Sequence, residues 1–475
     1  MNRLFTYGIL FSLTLVNSVL WSQTQIEILN ADEISFNKNI NPDRQVLSGA
    51  VKAKHNDRFL TCDSAYYYTK ENKIEAFNNI HIWEEDSLNL RGDYLVYLGN
   101  QQIAEIENNV QLEHKQMQLI TEQLEYNFEL QQAKYDFGAS ITDEEKSLSS
   151  EKGIYFAEDE KFDFQNNVEI EHSEGTLKSE QLTYWLNTEF AKFSSKGQIE
   201  NSDFRIDANK GWLDQKNGKA FLYGEVKITD IKNAYTLHAD TSKLSDELQE
   251  SVSFGNTLLK LPLNEDSLYL TADTLIQTKI SEHHLIKAFP TVSFKNSDML
   301  GACDSMSFNT EEERIFMDYK PVIWFDEFQL TAKKLEIQLR DNDVRFALFK
   351  ENAFIASEVD SKAFNQISGV FMKAHFTDND LSSIDVNGNG ESIYFMQNEK
   401  NKTTEGVNKI ICSDMKIFVK EKDIQSINFY KKPDAVLQPI DQAKPQDLVL
   451  KGFKWVNRTN TENEIQTKIE EHHSF

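Results

Sequence analysis

Residues 60–67 read Leu60-Thr61-Cys62-Asp63-Ser64-Ala65-Tyr66-Tyr67, and copies of this stretch recur along the chain. Each copy places an apolar residue, a small residue, an acidic residue and an aromatic or apolar residue at fixed offsets. Further copies begin at or near Leu29, Leu90, Leu119, Leu148, Leu177, Ile206, Leu237, Leu270, Gly301, Leu330, Ile367 and Ile410. The copies are 29 or 30 residues apart from Leu60 to Ile206 and 29 to 43 residues apart thereafter. A sustained period of this kind is the signature of a repeat architecture.

A second stretch follows each copy, and its apolar and polar residues alternate. Residues 104–112 are an example, because Ala104, Ile106, Val110 and Leu112 are separated by polar residues. Alternation with a period of two predicts short strands that bury one face. Three Asn-Asn pairs, which are residues 78–79, 108–109 and 166–167, interrupt stretches of this kind. Because Asn tolerates left-handed backbone, we predict corners at these pairs.

Each repeat is therefore predicted to form a short strand, a corner and a second short strand. We call this unit a rung. The 475-residue chain contains only 7 prolines, which suits continuous ladders of backbone hydrogen bonds. The predicted fold class is all-β, an elongated stack of short antiparallel strands. A β-jelly-roll and a β-solenoid both remain open, each with apolar side chains that face inward.

The N-terminus predicts export. Arg3 precedes an apolar stretch from Leu4 to Trp21, and the cleavage site of a secretory signal peptide is expected near Ser22. After this signal peptide at 1–22, we predict four segments. They are a β-repeat domain at 23–235, divergent β-repeats at 236–360, irregular C-terminal β-repeats with a cap at 361–456 and a disordered polar tail at 457–475.

The acidic residues of the repeats invite a chemical interpretation. Stacked carboxylates bind Ca²⁺ or act as a glycosidase pair in other proteins. Alternatively they cap the corners and keep one edge solvated, which we favour because no calcium loop accompanies them. The set comprises Asp63, Asp93, Glu122, Glu151, Glu180, Asp240, Asp273 and Asp304.

The remaining residue types give no catalytic or metal-binding prediction. Cys62, Cys303 and Cys412 occupy the small position of the repeat, where cysteine packs as a small apolar residue. The pairs His283-His284 and His472-His473 are poor chelators, since neighbours on a strand point to opposite faces. Common motifs of hydrolases, metalloproteases and nucleotide-binding proteins do not occur. We expect no enzyme activity, no metal and no cofactor.

The net charge of −26 disfavours a nucleic-acid partner, because such proteins carry basic patches that contact phosphates.

The repeats resemble the OstA/LptA-like family of periplasmic lipopolysaccharide-transport proteins. The matching elements are the motif in Leu60-Thr61-Cys62-Asp63 and Leu270-Thr271-Ala272-Asp273, and the closing strands Asn109-Val110-Gln111-Leu112 and Asn167-Val168-Glu169-Ile170. The resemblance is best over about residues 25–230, with divergent copies to about residue 440. The chain is much longer than a minimal member of that family.

The resemblance implies a periplasmic β-jelly-roll whose groove carries the lipid A acyl chains of lipopolysaccharide toward the outer membrane. It also implies end-to-end strand addition to related β-jelly-roll domains of the inner- and outer-membrane transport components. The predicted groove residues are Leu60, Ala65, Leu90, Leu95, Ile106, Val110, Leu112, Leu119, Leu124, Phe164, Val168, Ile170, Leu177 and Leu182.

Two alternatives to lipid transport stay open. These residues would fill a closed, dry core if the protein binds no lipid, as expected for a secreted β-solenoid scaffold or an adhesin. A carbohydrate-active β-helix enzyme would instead use the acidic residues.

Overall fold

The computed structural model describes residues 24–37, 39, 41–84, 88–144, 146–262, 266–340, 343–360, 363–377, 380–398, 403–420 and 423–473. The predicted signal peptide at 1–22 lies outside these residues. The described chain forms two compact units, one of Met1–Glu144 with Lys152–Glu158 and one of Glu145–Glu151 with Asp159–Phe475. The predicted segment boundaries at 235 and 360 remain predictions. Within the described residues, no helix is both long enough and apolar enough to cross a membrane.

The first unit is an antiparallel meander in which β3 to β8 each pair with the next strand. Both β1 and β2 pair with β3, β9 and β10 pair with β8, and β12 pairs with β9. The strands are β1 (Glu27–Asn30), β2 (Glu33–Phe36), β3 (Arg44–His55), β4 (Arg58–Tyr68), β5 (Lys73–Glu84), β6 (Leu88–Leu98), β7 (Ile103–His114), β8 (Met117–Asn127), β9 (Gln132–Tyr135), β10 (Ala139–Asp143) and β12 (Lys152–Phe156).

The second unit is also built from antiparallel strand pairs. The first of them joins β11 to β13, and the last joins β36 to β38. Its strands are β11 (Lys146–Ser150), β13 (Lys161–His172), β14 (Gly175–Trp185), β15 (Phe190–Phe193), β16 (Gly197–Glu200), β17 (Phe204–Ala208), β18 (Lys210–Asp214), β19 (Lys219–Asp230), β20 (Thr236–Ser245), β21 (Glu250–Phe254), β22 (Leu258–Pro262), β23 (Ser267–Thr271), β24 (Thr274–Ile280), β25 (His283–Phe289), β26 (Val292–Lys295), β27 (Met299–Cys303), β28 (Ser305–Asn309), β29 (Arg314–Asp318), β30 (Val322–Phe325), β31 (Phe328–Thr331), β32 (Lys334–Arg340), β33 (Asp343–Asp360), β34 (Ala363–Thr377), β35 (Asp380–Gln397), β36 (Thr404–Lys420), β37 (Asp423–Tyr430) and β38 (Asp434–Pro439). It also contains the helix α1 (Arg458–His473) and 3-10 turns at Gln215–Asn217, Ile440–Gln442 and Pro445–Asp447.

Long strands such as β5, β7 and β13 bend at pairs of residues with left-handed backbone, which are the corners, and a partner strand such as β6 bends opposite them. Both residues of each predicted Asn-Asn pair have φ between 48° and 64°, so the predicted corners are confirmed. The ladder register shifts at each of them. Further corners use Gly49-Ala50, Gly224-Glu225, Gly255-Asn256, Tyr319-Lys320, Glu351-Asn352, Gly388-Asn389 and Lys431-Lys432.

The corners make both halves of a bent strand face one interior. In β6, Leu88 and Leu90 are buried before the bend, and Leu95 and Tyr97 are buried after it, although a strict alternation would have turned the second pair outward. We call the two sheet halves that meet at the corners the walls of a unit. The all-β prediction is confirmed, and antiparallel pairing favours the β-jelly-roll alternative, because β-helices stack parallel strands.

The second unit also buries part of its outer sheet face, beneath the C-terminal segment. Helix α1 buries Ile465 against Leu300, Val322 and Trp324. The structure thus differs from the predicted disordered tail at 457–475. Ile469, one turn after Ile465, packs on the same cluster, so even a polar helix presents an apolar contact at positions i and i+4.

Two buried glutamines hold the chain that leads to this helix. Gln329 donates to the carbonyl of Lys454 at 2.7 Å and accepts from the amide of Val456 at 2.7 Å. Gln366 donates to the carbonyl of Leu448 at 3.0 Å and accepts from the amide of Leu450 at 2.8 Å. The outer face is therefore a second core, separate from the interior. Its two glutamines form hydrogen bonds with backbone groups of the C-terminal segment that covers it.

Candidate functional site

The interior between the walls of each unit is the candidate site. Nine of the fourteen predicted groove residues lie in the interior of the first unit and five in that of the second. None of these side chains is more than 6% exposed. In the first unit they form cross-strand rows. Leu90, Leu112 and Leu119 face one another on one wall, and Leu95, Ile106 and Leu124 do so on the other. These rows give both walls of the first unit an apolar lining, which the buried hydroxyl residue Thr121 interrupts beside Val110.

Sequence reasoning missed several members of the same rows. Ile82 stands between Leu60 and Leu90, and Ala76 stands between Ala65 and Leu95. Both lie on β5, where Ile74, Ala76, Ile80 and Ile82 alternate around the Asn78-Asn79 corner. The alternation that identified residues 104–112 would have identified these residues too.

The side chains of the two walls pack closely at two positions. A cavity of about 10 Å³ lies beside Leu60 and Tyr97. In the second unit, a cavity of about 20 Å³ lies among Ile323, Phe325 and Ile337. At these positions the opposing walls pack directly on each other.

Three acidic residues of the repeat accept hydrogen bonds at the corners. Asp63 accepts one from Asn79 at 2.9 Å and Asp93 accepts one from Asn109 at 2.6 Å, in each case sixteen residues along the chain. Glu151 accepts the equivalent bond from Asn167. The corner-capping interpretation is confirmed for these three. Among the described residues, no group of three or more His, Cys, Asp or Glu side chains is placed to hold a metal ion.

The three cysteines are buried as free thiols. Burial raises the pKa of Cys62 and of Cys303 to about 12. The Cys303 thiol donates to the carbonyl of Ser305, and Cys412 donates likewise to Asp414, both at 3.2 Å. These thiols are therefore protonated packing groups beside the corners, since the thiolate is the reactive form.

The histidine pairs do not converge on a site. His283 is exposed and His284 is half-buried, and they are consecutive on β25. His472 stacks on His238 with 4.6 Å between the ring centroids, where α1 meets the sheet. Burial lowers the pKa values of His284 and His472, which favours neutral, structural rings.

With this geometry established, comparison with protein families gives two matches. Residues 23–180 match the family described as OstA-like protein. Residues 135–232 match the family described as Lipopolysaccharide-assembly, LptC-related. Over residues 23–180 the chain is OstA-like. Both family matches lie in the N-terminal half of the chain, where the 29-residue spacing is most regular.

Comparison with solved structures finds LptH, described as the LptA-homologous periplasmic component of the conserved lipopolysaccharide transport device from Pseudomonas aeruginosa. The identity is 14%, and the match covers 30% of this chain and 80% of the other, with a TM-score of 0.15. A superposition of this quality is too poor for a comparison of the two sites. No curated protein matches the chain.

Proposed function

We propose that this protein is a periplasmic component of a lipopolysaccharide-transport bridge and that it acts by binding, without catalysis. The observation that carries the proposal is the apolar lining of both walls of the first unit, built from residues within the OstA-like match. The LptC-related match over 135–232 supports the same function.

The proposed cargo is the set of lipid A acyl chains, held by the fourteen groove residues. The packed interior requires the walls to separate before an acyl chain enters. The ladder hydrogen bonds run along each wall, so separation exchanges side-chain contacts between walls for contacts with the acyl chain. Removing the acyl chain from water contributes about 0.8 kcal/mol per CH₂.

The proposed partners are related β-jelly-roll domains of the inner- and outer-membrane components, joined by strand addition. In the described part of the first unit, β1 and β2 pair with β3 alone, and Ile34 and Phe36 on β2 are more than half exposed. In the second unit, β38 pairs with β36, and its Val436 and Leu437 are also more than half exposed. Edge strands of this kind accept an added strand. We place the direction of transport toward the outer membrane.

The test places a photo-crosslinking amino acid at Leu124 in cells of a Gram-negative bacterium. Leu124 is 1% exposed, and Glu125 on the opposite face of the same strand is the matched control. Leu60, beside the small cavity, is a second inward position for the case that the probe at Leu124 disturbs packing. We expect lipopolysaccharide adducts at the inward positions and none at Glu125.

The close packing around Leu60 in the first unit and around Ile323 in the second supports one alternative, a secreted β-solenoid scaffold or adhesin without a lipid ligand. Cavities of about 10 and 20 Å³ are far smaller than an acyl chain. Absence of adducts at both Leu124 and Leu60, in protein that is exported and folded, would favour the scaffold and reject the transport role.

A further inference from the structure

The interior of the second unit opens near its C-terminal end. A cavity of about 570 Å³ lies there between the end of one wall and the last strand of the other. Phe328 and Ile410 line it from one wall, and Ile427 and Phe429 of β37 line it from the other. This volume is typical of small-molecule sites, which range from about 300 to 1,000 Å³.

A row of polar side chains crosses the inner face of one wall at this cavity. Ser357 on β33 pairs with Asn365 on β34, and Tyr394 on β35 pairs with Asn408 on β36. The pairing of Gln366 with Ile393 sets the two halves of the row side by side. We call Ser357, Asn365, Tyr394 and Asn408 the polar row, and all four line the cavity.

The next row toward the corner is mainly apolar. Ile355 pairs with Ile367, which also faces Ser392, and Ser392 pairs with Ile410. The inner face of this wall therefore changes from apolar near the corner to polar near its outer end. A ligand that matches both rows carries an acyl chain and a polar group at one end of that chain.

One member of the polar row lacks a hydrogen-bond partner. The Oδ1 atom of Asn408 is buried and accepts no hydrogen bond from any described residue. A buried acceptor without a donor costs about 1–3 kcal/mol, so a ligand with an amide N–H or a hydroxyl is favoured there. The side-chain carbonyl of Asn365, in contrast, already accepts a hydrogen bond from the backbone amide of Phe395 at 2.9 Å.

The charges around the cavity select against an anionic group. Its lining includes the exposed carboxylates Glu327 and Glu358, and no Lys or Arg is among the described lining residues. A phosphate or a carboxylate would meet like charge without a compensating cation.

From this arrangement we infer that the cavity binds the neutral amide- or hydroxyl-bearing head of an acylated amphiphile, with its acyl chain directed onto Ile410 and the apolar row. This inference deepens the proposed transport function and rests on it. It assigns to Asn408 and Tyr394 the recognition of the linkage between acyl chain and headgroup.

Calorimetric titration of the full mature chain tests the inference with two probes used below their aggregation concentrations. The first probe, N-(3-hydroxytetradecanoyl)glucosamine, is neutral and offers N–H and O–H donors. The second probe, tetradecanoate, has the same chain length and a carboxylate. We expect the wild-type protein to bind the amide probe about tenfold more tightly. Asn408→Leu should remove most of this preference and leave tetradecanoate binding within about twofold.

Asn428→Leu is the matched control, because Asn428 is exposed on β37 and is not a lining residue. Tyr394→Phe is a second variant, since Tyr394 is 47% exposed and its hydroxyl is removable without loss of packing. We expect it to weaken the amide probe about threefold, and it decides the matter if Asn408→Leu does not fold. Equal binding of the two probes by the wild type, or an unchanged preference in both variants, overturns the inference.

Crosslinking at Leu124 separates this result from the transport proposal. Lipopolysaccharide adducts at Leu124 together with an unchanged preference in the variants would reject the polar row and leave transport standing. A selective loss in the variants without adducts at Leu124 would support the polar row and reject lipopolysaccharide as the cargo of the groove.

Discussion

The corner at Asn108-Asn109 gives the sharpest test of how the rungs are built. We predict that Asn109→Val strongly destabilises β6 and β7, whereas Asn109→Gly has a small effect. Asn109 has φ 54°, and its side chain donates to Asp93 at 2.6 Å. Because Asn109 is exposed, neither substitution removes core packing.

The magnitude follows from these two contributions. Left-handed backbone costs a β-branched residue roughly 1–2 kcal/mol more than it costs glycine or asparagine. Loss of the hydrogen bond costs about 1 kcal/mol. Valine suffers both losses and glycine only the second, so the expected costs are about 2.5 and about 1 kcal/mol respectively.

The assay is amide hydrogen exchange, followed by mass spectrometry on peptides from β6 and β7 of the intact protein. Local opening is measurable in this way even when the whole chain does not unfold in two states. At 1.4 kcal/mol per factor of ten, exchange should quicken about 50-fold in Asn109→Val and about fivefold in Asn109→Gly. Glu105→Val, at an exposed position of ordinary strand backbone on β7, is the control and should leave exchange near the wild-type rate.

Asp93→Ala completes a double-mutant cycle with Asn109→Gly. The double variant should exchange no faster than either single variant, because the same hydrogen bond is lost in each. Equal acceleration by Asn109→Val and Asn109→Gly would refute the reasoning, since backbone strain would then contribute nothing.

Three further predictions concern packing. Gly92→Val should destabilise β6 by about 1–3 kcal/mol, because a Cβ at this position would lie 2.7 Å from Cγ1 of Ile106. The readout is faster amide exchange in β6, and an unchanged rate would contradict the close approach. Cys62, in a variant whose other two cysteines are alanine, should react with a thiol reagent at pH 8 at least a hundredfold more slowly in the folded protein than in urea. Its folded pKa of about 12 leaves a far smaller thiolate fraction at that pH than the ordinary value near 9. Ile465→Asp should release α1 from the sheet, because Ile465 is fully buried and a carboxylate there would be unpaired. Limited proteolysis should then cut rapidly within residues 440–473 only. A fully protected segment would count against the contact.

The sequence predicts the rungs well because the bent strands of the first unit expose one face. Alternation then reports burial directly, and the Asn-Asn pairs mark the corners of β5, β7 and β13. The phase of the buried positions changes on partner strands such as β4, β6 and β8. The groove residues on β4, β6, β7 and β8 follow from this rule, as do the acidic residues that bond Asn79 and Asn109.

The outer core of the second unit could not be predicted in the same way. Val322, Ile323, Trp324 and Phe325 are all buried, so β30 reads as a continuous apolar run without alternation. The helix that covers this strand contains only Ile465 and Ile469 as apolar anchors, and its composition is otherwise that of a disordered tail. Periodicity reports whether a strand has a buried face, and it does not identify the chain that covers it.

The polar row was beyond sequence reasoning for a related reason. Ser357, Asn365 and Asn408 occupy inward positions, yet a polar residue in an alternating strand is normally taken as solvent-facing. Only the strand register places these residues opposite one another inside the unit.

The corner also bears on how such a chain can change during evolution. A rung needs only a left-handed pair and, in three observed cases, an acidic residue sixteen positions earlier, so its instructions are local. Its ladder bonds reach only the neighbouring strands. Duplication or deletion of one period of about 29 residues would therefore add or remove a hairpin and leave the other pairings intact. The number of repeats can therefore change by a single duplication or deletion, and the interior contacts of the other repeats do not have to change.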